Sequence, residues 1–379
     1  MEKNNPSLKD LIFYFIKLGS IGFGGSIALA NSMHNDLVKK EHWINEKEYL
    51  RGLTLSQLAP GPLSAQLAIY IGFVARGILG ATIAGIAFIL PSFILVIVIS
   101  IFYLRYGTIP AIQTSLYGIG ASVVGIIAIS SYELTSKTMK RKFLLWIIFI
   151  ITFILTAFFR QTSAFIFIFA GLITMLIYKH EKIEFPTKML NVVLNPFSIN
   201  IPALLTLPPV AKLFIFFIQA GALAFGGGLA IVPFLHSGVV SQNHWLTNKQ
   251  FIDAVAVAMV TPGPVVIAAT FIGYLVAQIP GAVVATVAIF LPVYLIVILL
   301  APIFEKHSEN HNMISFIEGV TAAAMGAIAG SIILLGTETI NDFTKSAIAI
   351  SSFIFIKFFR IPTVIVIICA GILGVLLYR

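Results

Sequence analysis

Two Pro-Gly-Pro tripeptides in the sequence have a backbone chemistry that suits the binding of an anion. They are Pro60-Gly61-Pro62 and Pro262-Gly263-Pro264. Proline lacks a backbone donor and disfavours helix in the residue before it, so each tripeptide predicts that one helix ends and another begins. The new helix points unpaired N–H groups and a positive dipole end of about half a charge into the break. A packing kink that binds nothing is the alternative interpretation.

A glycine-rich element precedes each tripeptide, Phe23-Gly24-Gly25-Ser26 in the first case and Phe225-Gly226-Gly227-Gly228 in the second. Glycines let either a ligand or a neighbouring helix approach the backbone closely, and both interpretations remain open. The candidate substrate-binding residues therefore include Gly24, Gly25, Ser26, Gly226, Gly227 and Gly228 as well as the two tripeptides.

Polar side chains near the tripeptides are further candidates. Gln57 and Thr261 can donate hydrogen bonds to an oxyanion without carrying a permanent charge, although hydrogen bonding between helices is an equal alternative. Arg51 and Asp253 occupy equivalent positions with opposite charge. An ionisable residue in such a segment indicates a function in charge balance or coupling, with a location at the membrane boundary as the alternative.

The composition places these residues in a membrane protein. Of 379 residues, 59% are hydrophobic and 10% are charged, against about 25% charged in an ordinary soluble domain. Apolar runs of about 20 residues recur along the chain. The net charge of +9 comes from basic residues scattered among short loops, which is typical of membrane topology signals and not of nucleic-acid binding.

Metal and disulfide chemistry find little support in the sequence. The single cysteine, Cys369, lies in an apolar run and is expected to be a buried small side chain. The histidines repeated near Trp43 and Trp245 favour anchoring at the membrane interface over metal binding. They are His34, His42, His236 and His244. We therefore predict no metal site, no cofactor and no catalytic residue.

An internal repeat organises the chain. An offset of 202 positions aligns the two glycine-rich elements, the two tripeptides and the Trp-containing loops, and it slips to 201 and then 200 towards the ends. We predict an all-α polytopic membrane protein with a first repeat at 1–185, a linker at 186–209 and a second repeat at 210–379. The last four helices of the first repeat are expected near Leu79–Leu104, Gln113–Tyr132, Phe143–Phe159 and Thr162–Tyr178.

The charges of equivalent loops predict that the two repeats are inverted relative to each other. The loop 137–142 is strongly basic, whereas its counterpart at 338–345 carries Glu338 and Asp342 against one lysine. Equivalent loops would then face opposite sides of the membrane. Inversion requires an odd number of crossings per repeat, so the Pro-Gly-Pro segments are expected to be re-entrant.

Taken together, these motifs resemble the chromate transporter family in its two-domain, long-chain form. The resemblance covers nearly the whole chain, and the residues that carry it include Phe23-Gly24-Gly25, 55–62, Gln66-Leu67-Ala68, Leu90-Pro91, Phe225-Gly226-Gly227, Gln250-Phe251-Ile252-Asp253, Thr261-Pro262-Gly263-Pro264 and Leu291-Pro292. It implies chromate efflux driven by the proton motive force, sulfate as a competing analogue and oppositely inserted halves. Met259 and Leu63 depart from the family pattern, which leaves the identity of the anion less determined than the family.

We therefore predict a transporter, not an enzyme, that exports chromate or a related tetrahedral oxyanion such as sulfate. The alternatives are a transporter of another small anion, including one that takes it up, and a membrane enzyme acting on lipid phosphate. The expected partners are a small inorganic anion and the lipid bilayer, with a homodimer as an open alternative and no nucleic acid. The expected location is the inner membrane of a bacterial cell.

Overall fold

The computed structural model describes residues 5–22, 25–139, 142–159, 164–178, 207–222, 224, 228, 231–307 and 311–377. These residues form helices and connecting turns without a β-strand. In chain order the α-helices of the first repeat are α1 (Leu8–Ile21), α2 (Gly25–Met33), α3 (Glu46–Leu58), α4 (Leu63–Tyr106), α5 (Pro110–Thr138), α6 (Phe143–Phe159) and α7 (Ala164–Ile177). Those of the second repeat are α8 (Pro209–Ala222), α9 (Val232–His236), α10 (Asn248–Val260), α11 (Ala268–His307), α12 (His311–Thr339), α13 (Phe343–Phe359) and α14 (Thr363–Leu377).

The predicted all-α membrane architecture is confirmed. By length and composition, four stretches of the described helices can each cross a membrane, namely Leu63–Tyr106, Pro110–Ser136, Val265–Leu299 and Ile314–Thr339. Large apolar side chains cover the outside of the protein, and Phe143 and Phe343 are 77% and 89% exposed. Such a surface requires lipid around it. Cys369 also faces outwards, so the expectation that it is buried was wrong.

Equivalent helices of the two repeats begin with the same local chemistry. Asn45 caps α3 by accepting a hydrogen bond from the Glu48 N–H, and the Glu48 carboxylate accepts one from the Asn45 N–H. Thr247 and Gln250 form the corresponding capping box at α10. The capping boxes satisfy backbone donors that would otherwise lack partners at these helix starts. They fix the positions from which α3 and α10 run towards the tripeptides.

The long helices α4 and α11 are both helical hairpins. Residues Arg76 and Gly77 leave the helical conformation, with Gly77 at φ 62°. The chain then turns back on itself. Gly72 and Gly80 come so close that a Cβ on Gly72 would overlap the carbonyl oxygen of Gly80. Ala277 and Gln278 form the equivalent turn in α11, and Gln278 adopts φ 51° without being a glycine. Sequence analysis predicted a helix from Leu79 but did not predict that a reversal would precede it.

The two repeats are interlocked through their last three helices. Helix α5 of the first repeat packs on α14 of the second, where Gly118 lets the Ala370 backbone approach closely. Helix α12 packs on α7 in the same way through Gly319 and Ala170. Each repeat therefore completes the helical layer of the other. This arrangement holds α4 and α11, with the tripeptide breaks before them, in the middle of the molecule.

Candidate functional site

The first break lies between α3 and α4. Helix α3 ends at Leu58, and Ala59 is extended at φ −81° and ψ 149°. Gly61 has φ 134°, a backbone conformation that only glycine adopts without strain. Pro62 is again extended and precedes the first turn of α4. The prediction that one helix ends and another begins at this tripeptide is confirmed.

The second break repeats this geometry between α10 and α11. Thr261 is extended at φ −77° and ψ 141°, and Gly263 has φ 98°. After Pro264 the chain forms a 3-10 turn, Val265–Ile267, before α11 begins. Neither break is a simple packing kink, because several consecutive residues leave the helical conformation in both repeats.

Each tripeptide is bonded to the chain just before the glycine-rich element of the other repeat. The Gly61 N–H donates to the Ala224 carbonyl oxygen over 2.9 Å, and the Gly263 N–H donates to the Gly22 carbonyl oxygen over 3.2 Å. The Ser92 hydroxyl of α4 adds a bond of 2.6 Å to the Pro262 carbonyl oxygen. Each tripeptide is therefore fastened to the opposite repeat.

In the first repeat, the helices on either side of the break lie side by side. A Cβ on Gly52 of α3 would overlap the ring of Tyr70 of α4, and these residues are nearly equidistant from the tripeptide. The chain thus enters through α3, turns at the tripeptide and returns through the first segment of α4. Two short helices that meet at a broken tip present their ends to the same space.

The predicted candidates in the first repeat have different surroundings. Gly61 and Pro62 are buried and Pro60 is half-buried, whereas the Gln57 side chain is exposed. Gly25 and Ser26 form the start of α2. Gly24 lies outside the described residues. Most of the tripeptide is therefore enclosed by protein, whereas Gln57 lies on an exposed surface beside it.

The candidates of the second repeat are more buried. Thr261 is 4% exposed, and its hydroxyl donates to the Ala258 carbonyl oxygen over 3.1 Å. Gly228 lies against Val265 at the start of the 3-10 turn, so the glycine-rich element and the tripeptide meet within this repeat as well. Gly226 and Gly227 lie outside the described residues.

The two residues of opposite charge have different environments. Asp253 is 2% exposed and accepts a hydrogen bond of 2.8 Å from the Tyr103 hydroxyl. Tyr103 lies near the end of α4, so this contact joins the two repeats. Arg51 is half-buried and also has an interaction partner. Asp253 is thus enclosed by protein, whereas Arg51 is partly exposed.

The repeated histidines are held by local contacts. His34 bonds to Glu46, and His236 bonds to Asn248 over 2.8 Å. His42 Nδ1 lies 2.8 Å from the Val38 carbonyl oxygen. Among the residues that the structure describes, no three side chains of the metal-binding types come together. These contacts suit a structural function for the histidines near the Trp-containing loops.

Ser64, Ser92 and Tyr103 are site residues that sequence reasoning missed. Ser64 is the second residue of α4, so its place directly after the tripeptide was a readable signal. Ser92 and Tyr103 gave no such signal, because their partners Pro262 and Asp253 lie 170 and 150 positions away along the chain.

A separate cavity of about 420 Å³ lies between α4 and α11. Its wall is almost entirely apolar, with Ile86, Leu90 and Val287 among the lining side chains. An oxyanion would lose its hydration there without gaining hydrogen bonds. The cavity is therefore a poor candidate for the anion site, and the polar backbone of the breaks is the better one.

The fold and the candidate site together define a multi-pass α-helical membrane protein in which each of two broken-helix units is hydrogen-bonded to the opposite repeat. The chain belongs to the chromate transporter family, whose sequence model matches residues 9–176 and 211–375. It is accordingly a membrane transporter and not an enzyme, and the family predicted from the sequence motifs is confirmed.

Similar proteins match along most of their length. The chain is 45% identical to the chromate transport protein of Cupriavidus metallidurans over 98% of this chain and 94% of the relative. It is also 45% identical to the probable chromate transport protein of Synechococcus elongatus, over 98% of this chain and 96% of the relative. Identity to the chromate transport protein of Pseudomonas aeruginosa is 28%, over 98% and 93%. No solved structure matches the chain.

Proposed function

We propose that this transporter exports chromate, or a closely related tetrahedral oxyanion, across the inner membrane of a bacterial cell. The observation that carries the proposal is that each Pro-Gly-Pro break is fastened to the opposite repeat, through the Gly61 and Gly263 N–H groups. Backbone of this kind at membrane depth is tolerated where it is buried or lines a cavity. The relatives named as chromate transport proteins direct the choice of anion.

The membrane potential favours export over uptake of such an anion. With the cytoplasm negative, moving one negative charge outwards through 100 mV releases about 2.3 kcal/mol, and two charges release about 4.6 kcal/mol. An exporter of a dianion can use this free energy directly. Uptake of the dianion would instead cost this free energy and would need a coupling ion to supply it.

We further propose that the two repeats are inserted in opposite orientations. Gly326 and Gly330 of α12 lie against Phe149 and Phe153 of α6, so these two helices run in the same direction. Consecutive spanning helices such as α5 and α6 run in opposite directions. Helix α12 therefore runs in the opposite direction to α5, its equivalent in the first repeat. Paired α3 and α4 segments that turn at the tripeptide suit a re-entrant element in each such repeat.

Within this transporter, the start of α4 after Pro62 and the 3-10 turn after Pro264 present backbone donors to the anion. Arg51 adds positive charge on the side of the first repeat. Asp253, buried against Tyr103, is the group that would exchange a proton during the cycle. Relative rocking of the repeats would alternate access to the site. We expect a homodimer to be compatible with this arrangement, since α4 and α11 leave an apolar groove between them.

Uptake of radiolabelled chromate into everted membrane vesicles tests the proposal. Accumulation that rises with an imposed potential, positive inside the everted vesicle, and falls with excess sulfate is the expected result. Vesicles that contain the protein but accumulate no chromate would contradict the substrate assignment. The same assay with molybdate, sulfate and small organic anions would then identify the anion that is carried. Accumulation in right-side-out vesicles instead of everted ones would indicate uptake.

A further inference from the structure

The first turn of α4 holds two polar side chains whose hydrogen-bonding capacity is not used within the described part of the chain. Ser64 is 0% exposed, and its hydroxyl oxygen has no hydrogen-bond partner there. Gln66 is also 0% exposed, and its Oε1 atom has no partner. Buried polar groups in folded proteins are almost always hydrogen-bonded, so an exception of this kind indicates an absent ligand or water. The Ser64 hydroxyl can donate to an anion, whereas Gln66 Oε1 is an acceptor and suits a water molecule.

The equivalent turn of the second repeat lacks these groups. Val266 takes the place of Ser64 and Ala268 takes the place of Gln66, counted from the second proline of each tripeptide. Both residues are buried. The backbone of the two breaks is closely similar. Among the described residues, however, only the first tripeptide is followed by a buried hydroxyl without a hydrogen-bond partner, because the Thr261 hydroxyl at the second break donates to the Ala258 carbonyl oxygen. The site is therefore asymmetric although the fold is duplicated.

The Gln66 side chain also explains how the turn is held open. Its amide nitrogen donates to the Pro60 carbonyl oxygen over 2.5 Å and lies 3.3 Å from the Ala59 carbonyl oxygen. The carbonyl oxygens, which would repel an anion, are thereby occupied, and Gln66 acts as a positioning residue.

Donors of different kinds meet at this helix start. The N–H groups of Ala65 and Gln66 already bond to the Pro62 carbonyl oxygen, each over 3.0 Å. The earlier amides of the turn, at Leu63 and Ser64, belong to the group that a helix leaves without internal partners. Together with the Ser64 hydroxyl they form donors on one turn, at the positive end of a long helix. A tetrahedral oxyanion presents acceptor oxygens in several directions and suits this set.

We propose that the oxyanion binds on one side of the duplicated structure, at the first turn of α4, with the Ser64 hydroxyl as a direct hydrogen-bond donor. This inference rests on the proposed function and adds a specificity-determining residue to it. The break of the second repeat then fastens the two repeats together, because Pro262 accepts a hydrogen bond from Ser92 and Gly263 donates one to Gly22. It does not supply a second equivalent binding site.

The test uses purified full-length protein in proteoliposomes and measures the concentration dependence of chromate transport. Ser64→Ala and Ser64→Gly both remove the hydroxyl with little change in volume. A hydrogen bond to a charged ligand corresponds to a loss of about 10- to 100-fold in affinity. We expect both variants to raise the KM for chromate by about this factor, with a smaller change in the maximal rate.

Ser100→Ala is the matched control. Ser100 also lies in α4 and is 0% exposed, but its hydroxyl donates to the Val96 carbonyl oxygen over 2.7 Å. Ser100→Ala should leave the KM for chromate within about twofold of the wild-type value. Stabilisation of the detergent-purified protein by chromate provides a second readout, and the Ser64 variants should need about 10- to 100-fold more chromate for the same shift in Tm.

The outcomes separate the two proposals. If wild-type protein neither transports nor binds chromate, the proposed function fails, and the inference fails with it. If wild-type protein transports chromate and a Ser64 variant keeps its KM and its stabilisation by chromate, the function stands and the one-sided site is overturned. If Ser100→Ala raises the KM as much as Ser64→Ala does, the effect is one of packing, and the assignment of Ser64 is overturned as well.

Discussion

The Gly61 N–H of the first repeat donates to the Ala224 carbonyl oxygen of the second over 2.9 Å. In the equivalent bond, the Gly263 N–H of the second repeat donates to the Gly22 carbonyl oxygen of the first. Each broken tip is therefore fastened to the opposite half of the protein. Any movement of one repeat against the other must change the backbone of both breaks. This relationship links the candidate site directly to the rocking motion that alternating access requires.

Gly61 should not tolerate a side chain. At φ 134° an alanine is strained by about 1–3 kcal/mol, and its Cβ would lie 2.6 Å from Gln66 Nε2 and 2.9 Å from Val293 Cγ2. We expect Gly61→Ala to lower the initial rate of chromate transport at least tenfold. Gly336→Ala is the control, since the nearest atom to its Cβ, in Val124, is 4.0 Å away. Equal transport by Gly61→Ala and wild type would show that the break tolerates an altered backbone.

Asp253 should be needed for coupling to protons. We expect Asp253→Asn to abolish chromate transport driven by a pH gradient alone, while transport driven by an imposed potential persists, because an amide cannot exchange the proton. Tyr103→Phe keeps the carboxylate but removes a hydrogen bond of 2.8 Å, which costs about 1–3 kcal/mol for a buried charged group. Both driving forces are applied separately to the same proteoliposomes. If the pH gradient still drives transport in Asp253→Asn, another group carries the proton.

Much of this fold could be predicted from the sequence where the cause is local. The Pro-Gly-Pro breaks follow from the missing proline donor and the freedom of glycine, and apolar runs predict α6 and α7 to within two residues. Helix α5 is longer than predicted and extends beyond Gln113–Tyr132 at both ends. The predicted helix Phe143–Phe159 agrees with α6 at both ends. The reversal in α11 was not predicted, because Ala277 and Gln278 carry no glycine signal.

The site was less predictable because its contacts join distant parts of the chain. The bond between Tyr103 and Asp253 and the bond between Ser92 and Pro262 depend on how the two repeats cross. No spacing in a single sequence encodes that crossing. For Gln57, the position in the sequence suggested more than the fold supports. Its place beside the first tripeptide favoured a function in binding, but its side chain lies on an exposed surface.

The turn in α11 stores strain that a single substitution should release. Gln278 adopts φ 51° and ψ −141°, whereas the equivalent residue of α4, Gly77, meets no such penalty at φ 62°. We expect Gln278→Gly to stabilise the detergent-purified protein by about 1–2 kcal/mol, seen as a higher Tm. The opposite change, Gly77→Gln, should lower Tm by a similar amount. A lower Tm for Gln278→Gly would mean that the glutamine side chain stabilises the turn by more than its backbone strain costs.

Opposite insertion of the repeats predicts opposite labelling of equivalent loops. Glu41 and Asn243 are equivalent, and both are exposed before their capped helices. In a Cys369→Ser background, Glu41→Cys and Asn243→Cys should react with a membrane-impermeant maleimide from opposite sides of the membrane. Right-side-out and everted vesicles distinguish the two sides. Labelling of both cysteines from the same side would exclude inverted repeats and, with them, the re-entrant breaks.

The most direct test of the central claim is the initial rate of potential-driven chromate flux in proteoliposomes that contain the double variant Pro62→Ala and Pro264→Ala. Pro62 and Pro264 hold the extended backbone from which α4 and the 3-10 turn before α11 begin, and alanine removes this constraint on the geometry of the backbone donors. Pro209→Ala, at the exposed first position of α8, is the control. The account predicts that the double variant loses flux to the level of empty liposomes while Pro209→Ala keeps it. Unchanged flux in a correctly folded double variant would contradict the assignment of the breaks as the anion site.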